Sequence, residues 1–140
     1  MTPEDPEPWA WVAVILMQLG RTEEAAKADV TLRELLNDDL VYHTLRSQVL
    51  GGMGLNEEAV AEAEAALALD PESPEAQFSL AGAYENMGQL DKAVEHMQLA
   101  SDYADARGKS ELTVIARYRL ALLLQQFSVI GAPTVTPTPE

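Results

Sequence analysis

Three short segments of this 140-residue chain share one pattern at intervals of 34 residues: LGRTEEA at 19–25, MGLNEEA at 53–59 and MGQLDKA at 87–93. Each segment has glycine in its second position and alanine in its last, so both residue types recur with the same period. Repetition at a fixed period of this length is typical of repeat proteins, in which one supersecondary unit cannot bury its apolar face alone. The chain is therefore predicted to contain three such units.

Each unit is predicted to consist of two helices separated by the glycine. Glycine adopts the left-handed conformation that commonly ends a helix, because it carries no Cβ. Apolar residues recur at helical spacing on both sides of the glycine, and no sustained alternation typical of strands is present. Asp5, Asp39 and Ser73 form another column of the repeat, and each side-chain oxygen is predicted to cap the first helix of its unit.

These features resemble the tetratricopeptide repeat (TPR) family, whose 34-residue unit is a helix–turn–helix with a Trp–Leu–Gly–Tyr, Ala–Phe, Pro pattern. The matching residues are Trp9, Val12, Ala13, Leu16, Gly20 and Ala25 in the first unit, Ala59, Ala63, Ala66, Asp70 and Pro71 in the second, and Leu80, Ala81, Tyr84, Gly88, Ala93, Met97 and Ala100 in the third. The second unit departs from the pattern where Arg46 replaces the expected leucine. The resemblance covers about residues 6–107 and implies an all-α, right-handed superhelix of about seven helices.

The repeat divides the chain into an N-terminal tail at 1–5, TPR units at 6–39, 40–73 and 74–107, a C-terminal helix at 110–127 and a disordered tail or linker at 128–140. The C-terminal helix is predicted to cap the solenoid, since terminal repeats must cover the last apolar face. Arg117 and Arg119 are expected to keep its outer surface hydrated. Its many leucines leave two alternatives: the first half of a fourth repeat, or a dimer contact.

The charge excludes several function classes. Nine Lys and Arg against 23 Asp and Glu give a net charge of −14, which counts against nucleic acid and anionic membranes as partners. Residues 1–105 carry −16 and residues 106–140 carry +2. The apolar run at 9–19 follows acidic residues, unlike a signal peptide, and is too short to span a bilayer. A cytoplasmic location is therefore expected.

No chemical motif points to catalysis, a cofactor or a metal. The two histidines, His43 and His96, lie in different units without a repeated carboxylate at ligand spacing, and there is no cysteine. The glycine cluster at 51–54 lacks the lysine of a phosphate-binding loop. The chain is therefore not expected to be an enzyme or to hold a cofactor or metal ion.

By resemblance, the first helix of each unit lines a concave groove that accepts a partner peptide or helix. The predicted partner-binding residues are Glu7, Trp11, Val14, Met17, Gln18, Thr44, Gln48, Glu75, Phe78, Gly82, Glu85 and Asn86. Co-chaperone members of the family grip a terminal carboxylate with Lys, Arg and Asn in several of these columns. Here those columns hold Ala10, Val14, Leu45, Glu75 and Ser79, so the carboxylate clamp is expected to be absent.

The groove is expected to be apolar near Trp11 and acidic toward Glu75 and Glu85. Trp11 is the predicted anchor, because exposed aromatic residues dominate many interfaces; the alternative is that it packs against the N-terminal tail. The predicted function is thus a non-catalytic scaffold for an apolar or basic protein segment. Two alternatives remain: homo-oligomerisation, as a possible homodimer through 110–127, and a regulatory TPR module cut from a longer protein.

Overall fold

The computed structural model describes residues 4–131, and every regular element in that range is an α-helix. The helices are α1 (Pro6–Gln18), α2 (Thr22–Leu36), α3 (Asp39–Gly52), α4 (Asn56–Leu69), α5 (Pro74–Asn86), α6 (Leu90–Ala106) and α7 (Ser110–Gly131). The first six form three hairpins, which stack in chain order as units one, two and three. The predicted all-α architecture of helix–turn–helix repeats is confirmed.

Glycines in the left-handed conformation end the first helix of every unit. Gly20, Gly54 and Gly88 have φ angles of 73°, 77° and 74°, as their shared column predicts. The residue after each glycine donates its N–H to a carbonyl five residues earlier, which satisfies one unpaired carbonyl at the helix end. Gly108 makes the same turn between α6 and α7 with a φ of 68°, although it lies outside the 34-residue column.

Helix caps follow the sequence in units one and three but not in unit two. The side chains of Asp5 and Ser73 accept hydrogen bonds from backbone N–H groups in the first turns of α1 and α5. In unit two, Asp38 caps α3 instead of the predicted Asp39. The reason lies at Asn37, which ends α2 in the left-handed conformation with a φ of 47°. The chain therefore turns one residue earlier than the 34-residue register predicts.

Small residues allow the paired helices to cross closely. Ala13, Ser47 and Ala81 form one column of the repeat, and all three are buried. Ser47 Oγ also donates a hydrogen bond to the carbonyl oxygen of Ala59 across the hairpin at 2.8 Å. Around these crossings lie two apolar clusters, one joining units one and two to Ala83 of α5, and one joining unit three to α7.

α7 covers the last hairpin, as a capping helix should. Ala116, Leu120 and Leu123 are buried with α6 side chains. The helix continues to Gly131, so the predicted boundary at 127 is four residues too early. The reason is that Gly131 is the first helix-breaking residue after Ser110. The rest of the predicted tail, 132–140, lies outside the described residues, as do residues 1–3 of the predicted N-terminal tail.

Candidate functional site

The first helices α1, α3 and α5 line a cavity of about 480 Å³, here called the groove cavity. Four of the predicted partner-binding residues lie around it: Glu7 of α1, Thr44 and Gln48 of α3, and Glu75 of α5. Its remaining lining includes the apolar side chains of Leu36, Leu40, Val41 and Leu45. The cavity thus has an apolar wall, formed by Leu36 of unit one and three side chains of unit two, and polar groups at both of its ends.

Two cations from the turn between α6 and α7 also reach this cavity. Arg107 donates to both carboxylate oxygens of Asp70, at 2.8 and 3.1 Å, and Lys109 forms an ion pair with Glu75. Hydrogen bonding to Arg107 lowers the pKa of Asp70 below its usual value. The expected acidic end of the groove is therefore balanced by the chain's own bases. The 34-residue repeat pattern did not predict these cations at the groove, because it placed only residues of the first helices there.

Three other predicted residues line a different cavity. Val14, Met17 and Gln18 of α1 border a space of about 390 Å³, whose other sides belong to α3 and α4. Val14 itself is buried in the core cluster of units one and two. The predicted groove residues are thus divided between two cavities, and the end of α1 does not contribute to the groove cavity.

Trp11 packs against a neighbouring helix and is only partly exposed, so it does not stand free as an anchor. Its ring lies against Gly52 of α3, where a Cβ would come within 3.1 Å of Trp11 Cη2. The side chain is partly buried against the core cluster of units one and two. The absence of a side chain at Gly52 explains this close approach. Trp11 therefore packs on α3, which neither the anchor hypothesis nor the tail hypothesis anticipated.

The predicted residues of unit three are largely engaged within the chain. Phe78 packs partly buried against the cluster of α6 and α7, and Glu85 forms an ion pair with Arg119. Asn86 Nδ2 donates to the Gly51 carbonyl oxygen at 3.3 Å and to an Asn56 oxygen at 3.2 Å. Gly82 is half-buried, with open space where a Cβ would stand.

Arg46, which replaces the expected leucine, joins units one and two through their carboxylates. Its guanidinium donates to Asp29 of α2 at 3.0 Å and to Glu62 of α4 at 2.9 Å. Burial lowers the pKa of Arg46, but hydrogen bonding to Glu62 and the nearby negative groups outweigh it, so the pKa is raised. Tyr42 Oη donates to Asp29 at 2.6 Å; burial and this bond raise the pKa of Tyr42 to about 12.

Each histidine contacts a side chain of the paired helix in its unit, at equivalent positions of units two and three. His43 Nδ1 on α3 lies 2.6 Å from Glu62 Oε2 on α4, whereas His96 Nδ1 on α6 lies 2.8 Å from Gln77 Oε1 on α5. Gln77 is 34 residues after His43, and His96 is 34 residues after Glu62, so the second and third units exchange the two partners. Burial lowers the pKa of His96. Both histidines thus have structural partners.

In unit one the same pair of columns holds Trp9 and Ala28. Because Ala28 offers no side-chain acceptor, the buried Nε1 of Trp9 has no hydrogen-bond partner among the described residues. Within residues 4–131, no group of three or more His, Cys, Asp and Glu side chains is placed to hold a metal ion. None of the helices described is long and apolar enough to cross a membrane.

Comparison with known proteins places the repeat in a family. Residues 52–110, which hold the second helix of unit two and all of unit three, match the family model of the tetratricopeptide repeat. Residues 52–110 are therefore tetratricopeptide repeat sequence, and the described helices have the TPR fold. No curated protein matches it.

Solved structures share the TPR fold at low identity. PcrH, determined in complex with the chaperone binding region of PopD, is 21% identical with a TM-score of 0.63, over 90% of this chain and 96% of that one. The MamA 41-end structure from Desulfovibrio magneticus RS-1 is 22% identical with a TM-score of 0.48, over 87% of this chain and 75% of that one. The MamA RS-1 ArsTM double mutant is 20% identical with a TM-score of 0.46, over 88% and 77%. At 21% identity, the likeness to PcrH concerns the fold alone.

Proposed function

We propose that this TPR protein is a non-catalytic scaffold that binds a segment of another protein in the groove cavity. The observation that carries the proposal is the cavity of about 480 Å³ between α1, α3 and α5, which is open to solvent and lined by apolar side chains of unit two. A space of this size lies within the range of ligand-binding clefts. PcrH, which has the same fold, was determined with a bound region of PopD, and this precedent supports a protein segment as the occupant.

The lining suggests which side chains the segment carries. Val41 is 44% exposed beside the half-buried Leu45, so apolar side chains of a partner would cover surface that water now contacts. Glu7 at the α1 end is exposed and has no ion-pair partner among residues 4–131, so it is available for a basic residue. The proposed partner is therefore an apolar segment with a basic residue toward α1.

The rim argues against recognition of a partner's terminal carboxylate. Arg107 and Lys109, the cations at the cavity, already pair with Asp70 and Glu75. A carboxylate would have to compete with both intramolecular pairs, and the first helices supply no further Lys or Arg to the cavity. The net charge of −14 instead favours encounter with basic partners at low ionic strength.

Selection of peptides on the protein tests this proposal. A phage-displayed library of random 12-residue peptides would be selected on the wild-type chain, and titration calorimetry would measure the binding of enriched peptides. We expect them to carry apolar residues with Lys or Arg, and Val41→Glu to weaken their binding at least about tenfold, since it places a charge on the apolar wall.

A matched control separates the cavity from the rest of the surface. Val30 of α2 is also exposed, at 55%, and lies outside the groove cavity. Val30→Glu should bind the peptides as the wild type does, because it adds the same charge elsewhere. Equal binding by the wild type and Val41→Glu, with helical content unchanged, would reject the groove cavity as the binding site.

A further inference from the structure

The first helix of the solenoid carries an apolar stripe on the face turned away from the rest of the chain. Val12 and Ile15 of α1 and Leu19, the residue that caps its C-terminus, follow one another at helical spacing and are 36%, 43% and 65% exposed. The opposite face of α1 holds Ala10 and Val14, which are buried. This exposed stripe is called the N-face below.

The repeat shows what normally covers this stripe. Ile15, Val49 and Ala83 occupy one column, yet Val49 and Ala83 are each only 2% exposed. Leu80, in the column of Val12, is also 2% exposed. In units two and three this face of the first helix packs against the preceding unit, and α3 contacts α1 and α2 in this way. The N-face is therefore the counterpart of a unit–unit interface, and none of the units within residues 4–131 covers it.

The other end of the solenoid also leaves an apolar stripe uncovered. On α7, Val114, Tyr118 and Leu122 lie four residues apart and are 67%, 65% and 38% exposed, with Ile115 at their side. The opposite face of α7 is the one buried against α6. This stripe, called the C-face, contradicts the expectation that the capping helix has a hydrated outer surface. Arg117 and Arg119 pair with Asp105 and Glu85 and stay 60% and 40% exposed, so they hydrate other parts of α7 and leave this stripe apolar.

We infer that the C-face of one molecule packs against the N-face of a second copy, so that the solenoid continues head to tail. The N-face presents the same side of a first helix that units two and three bury against the unit before them. α7 occupies the place of a first helix after α6, and its C-face is the side that a following element would cover. The occupant is therefore a second copy, because one contact between its C-face and the N-face of the first molecule covers an apolar stripe of each kind.

Two further observations favour this arrangement over a symmetric α7–α7 dimer. A symmetric dimer would cover the C-face but leave the N-face of both molecules in water, whereas the head-to-tail contact covers both stripes. The charges are also complementary, because residues 106–140 carry +2, whereas unit one at 6–39 carries three bases and seven acids. A heterologous contact of this kind produces open chains or closed rings rather than a dimer alone.

Sedimentation velocity on the full 140-residue chain over a wide concentration range tests the inference. We expect the weight-average mass of the wild type to rise beyond that of a dimer, starting from the 15.2 kDa of one chain. Ile15→Glu on the N-face and Tyr118→Glu on the C-face should each weaken association at least about tenfold, because a carboxylate is placed in an apolar contact. Val30→Glu, on neither face, should associate as the wild type does.

Mixing the two interface variants gives the decisive result. The Ile15→Glu variant keeps an intact C-face and the Tyr118→Glu variant an intact N-face, so the mixture should form 1:1 dimers that grow no further. A wild type that stays monomeric at every concentration would overturn the inference. So would dimers of Ile15→Glu alone that Tyr118→Glu alone does not form, since these indicate symmetric α7 pairing. Leu19→Glu and Val114→Glu repeat the experiment if either first variant loses helical content.

Discussion

Replacing Arg46 with leucine tests whether the ion pairs of unit two or the apolar repeat pattern contributes more to stability. Leucine is the residue that the repeat predicts at this position, and Leu80 occupies the same column in unit three, where it is buried. Arg46 instead has a side chain only 11% exposed, between Asp29 and Glu62. Cavities of about 270 and 390 Å³ adjoin its side chain. The substitution therefore exchanges two charged contacts for one apolar side chain.

The magnitude follows from these contacts. A hydrogen bond to a charged group contributes about 1.5–3 kcal/mol. The low end applies here, because the Asp29 and Glu62 side chains are 27% and 19% exposed and keep contacts with Tyr42 and His43. Two lost bonds cost about 3 kcal/mol, and leucine regains about 1 kcal/mol, because the arginine stem is already buried. The net loss is about 2 kcal/mol, or roughly 6–10 °C in Tm for a chain of this length.

Urea unfolding followed by circular dichroism gives the free energy of unfolding, with thermal unfolding as a second measure. Arg21→Leu is the matched control, because Arg21 pairs with Glu24 while both side chains are more than half exposed; its cost should stay below about 1 kcal/mol. In 1 M salt the Arg21 effect should vanish and most of the Arg46 effect should remain, since buried pairs are screened less. An Arg46→Leu variant at least as stable as the wild type would show that leucine packing outweighs both ion pairs.

Three further substitutions have expected outcomes that urea unfolding can check. Gly82→Ala should stabilise the protein by about 1 kcal/mol, because Gly82 lies inside α5 with open space where its Cβ would stand. Gly52→Ala should stabilise it less, because the new Cβ would meet Trp11. Equal gains in the free energy of unfolding would contradict this close approach. Trp11→Ala should lower the free energy of unfolding by about 2 kcal/mol, less than for a fully buried tryptophan, because the ring is partly exposed. An unchanged free energy of unfolding would contradict the packing of Trp11 on α3. Because the pKa of His96 is lowered in the folded protein, the unfolded chain takes up a proton first as the pH falls below about 6.5, and the protein loses stability. His96→Gln should therefore lose less stability than the wild type between pH 7.5 and 5.5. Equal losses would contradict the lowered pKa of His96.

The repeat pattern predicted part of the lining of the groove cavity but not its ion pairs. The columns of the first helices brought Glu7, Thr44, Gln48 and Glu75 together, because residues in one column take equivalent places on successive helices. The pattern did not indicate that Lys109 pairs with Glu75. Lys109 lies in a turn after the last unit, and its distance from α5 depends on how α6 and α7 pack.

At the end of α1, the repeat pattern predicted groove residues that the structure places elsewhere. Val14 and Met17 belong to the groove columns, yet they border a cavity between α1, α3 and α4. The position of a whole hairpin on its neighbour decides this outcome, and Arg46 and Gly52 both act at that contact. A charged residue in an apolar column was visible in the sequence, but the carboxylates it would meet were not.

By itself, the sequence determined the number of helices, their pairing and the glycine turns within the three units, because these depend on local spacing, capping and backbone conformation. Tertiary structure alone decided which charges pair and which apolar stripes stay exposed. Both depend on side chains that are distant in sequence, such as Arg119 and Glu85, or on whether a neighbouring unit is present, as for Ile15. The repeat pattern predicts the equivalent position of each residue in its unit. Whether that residue is buried depends on the packing of the neighbouring helices.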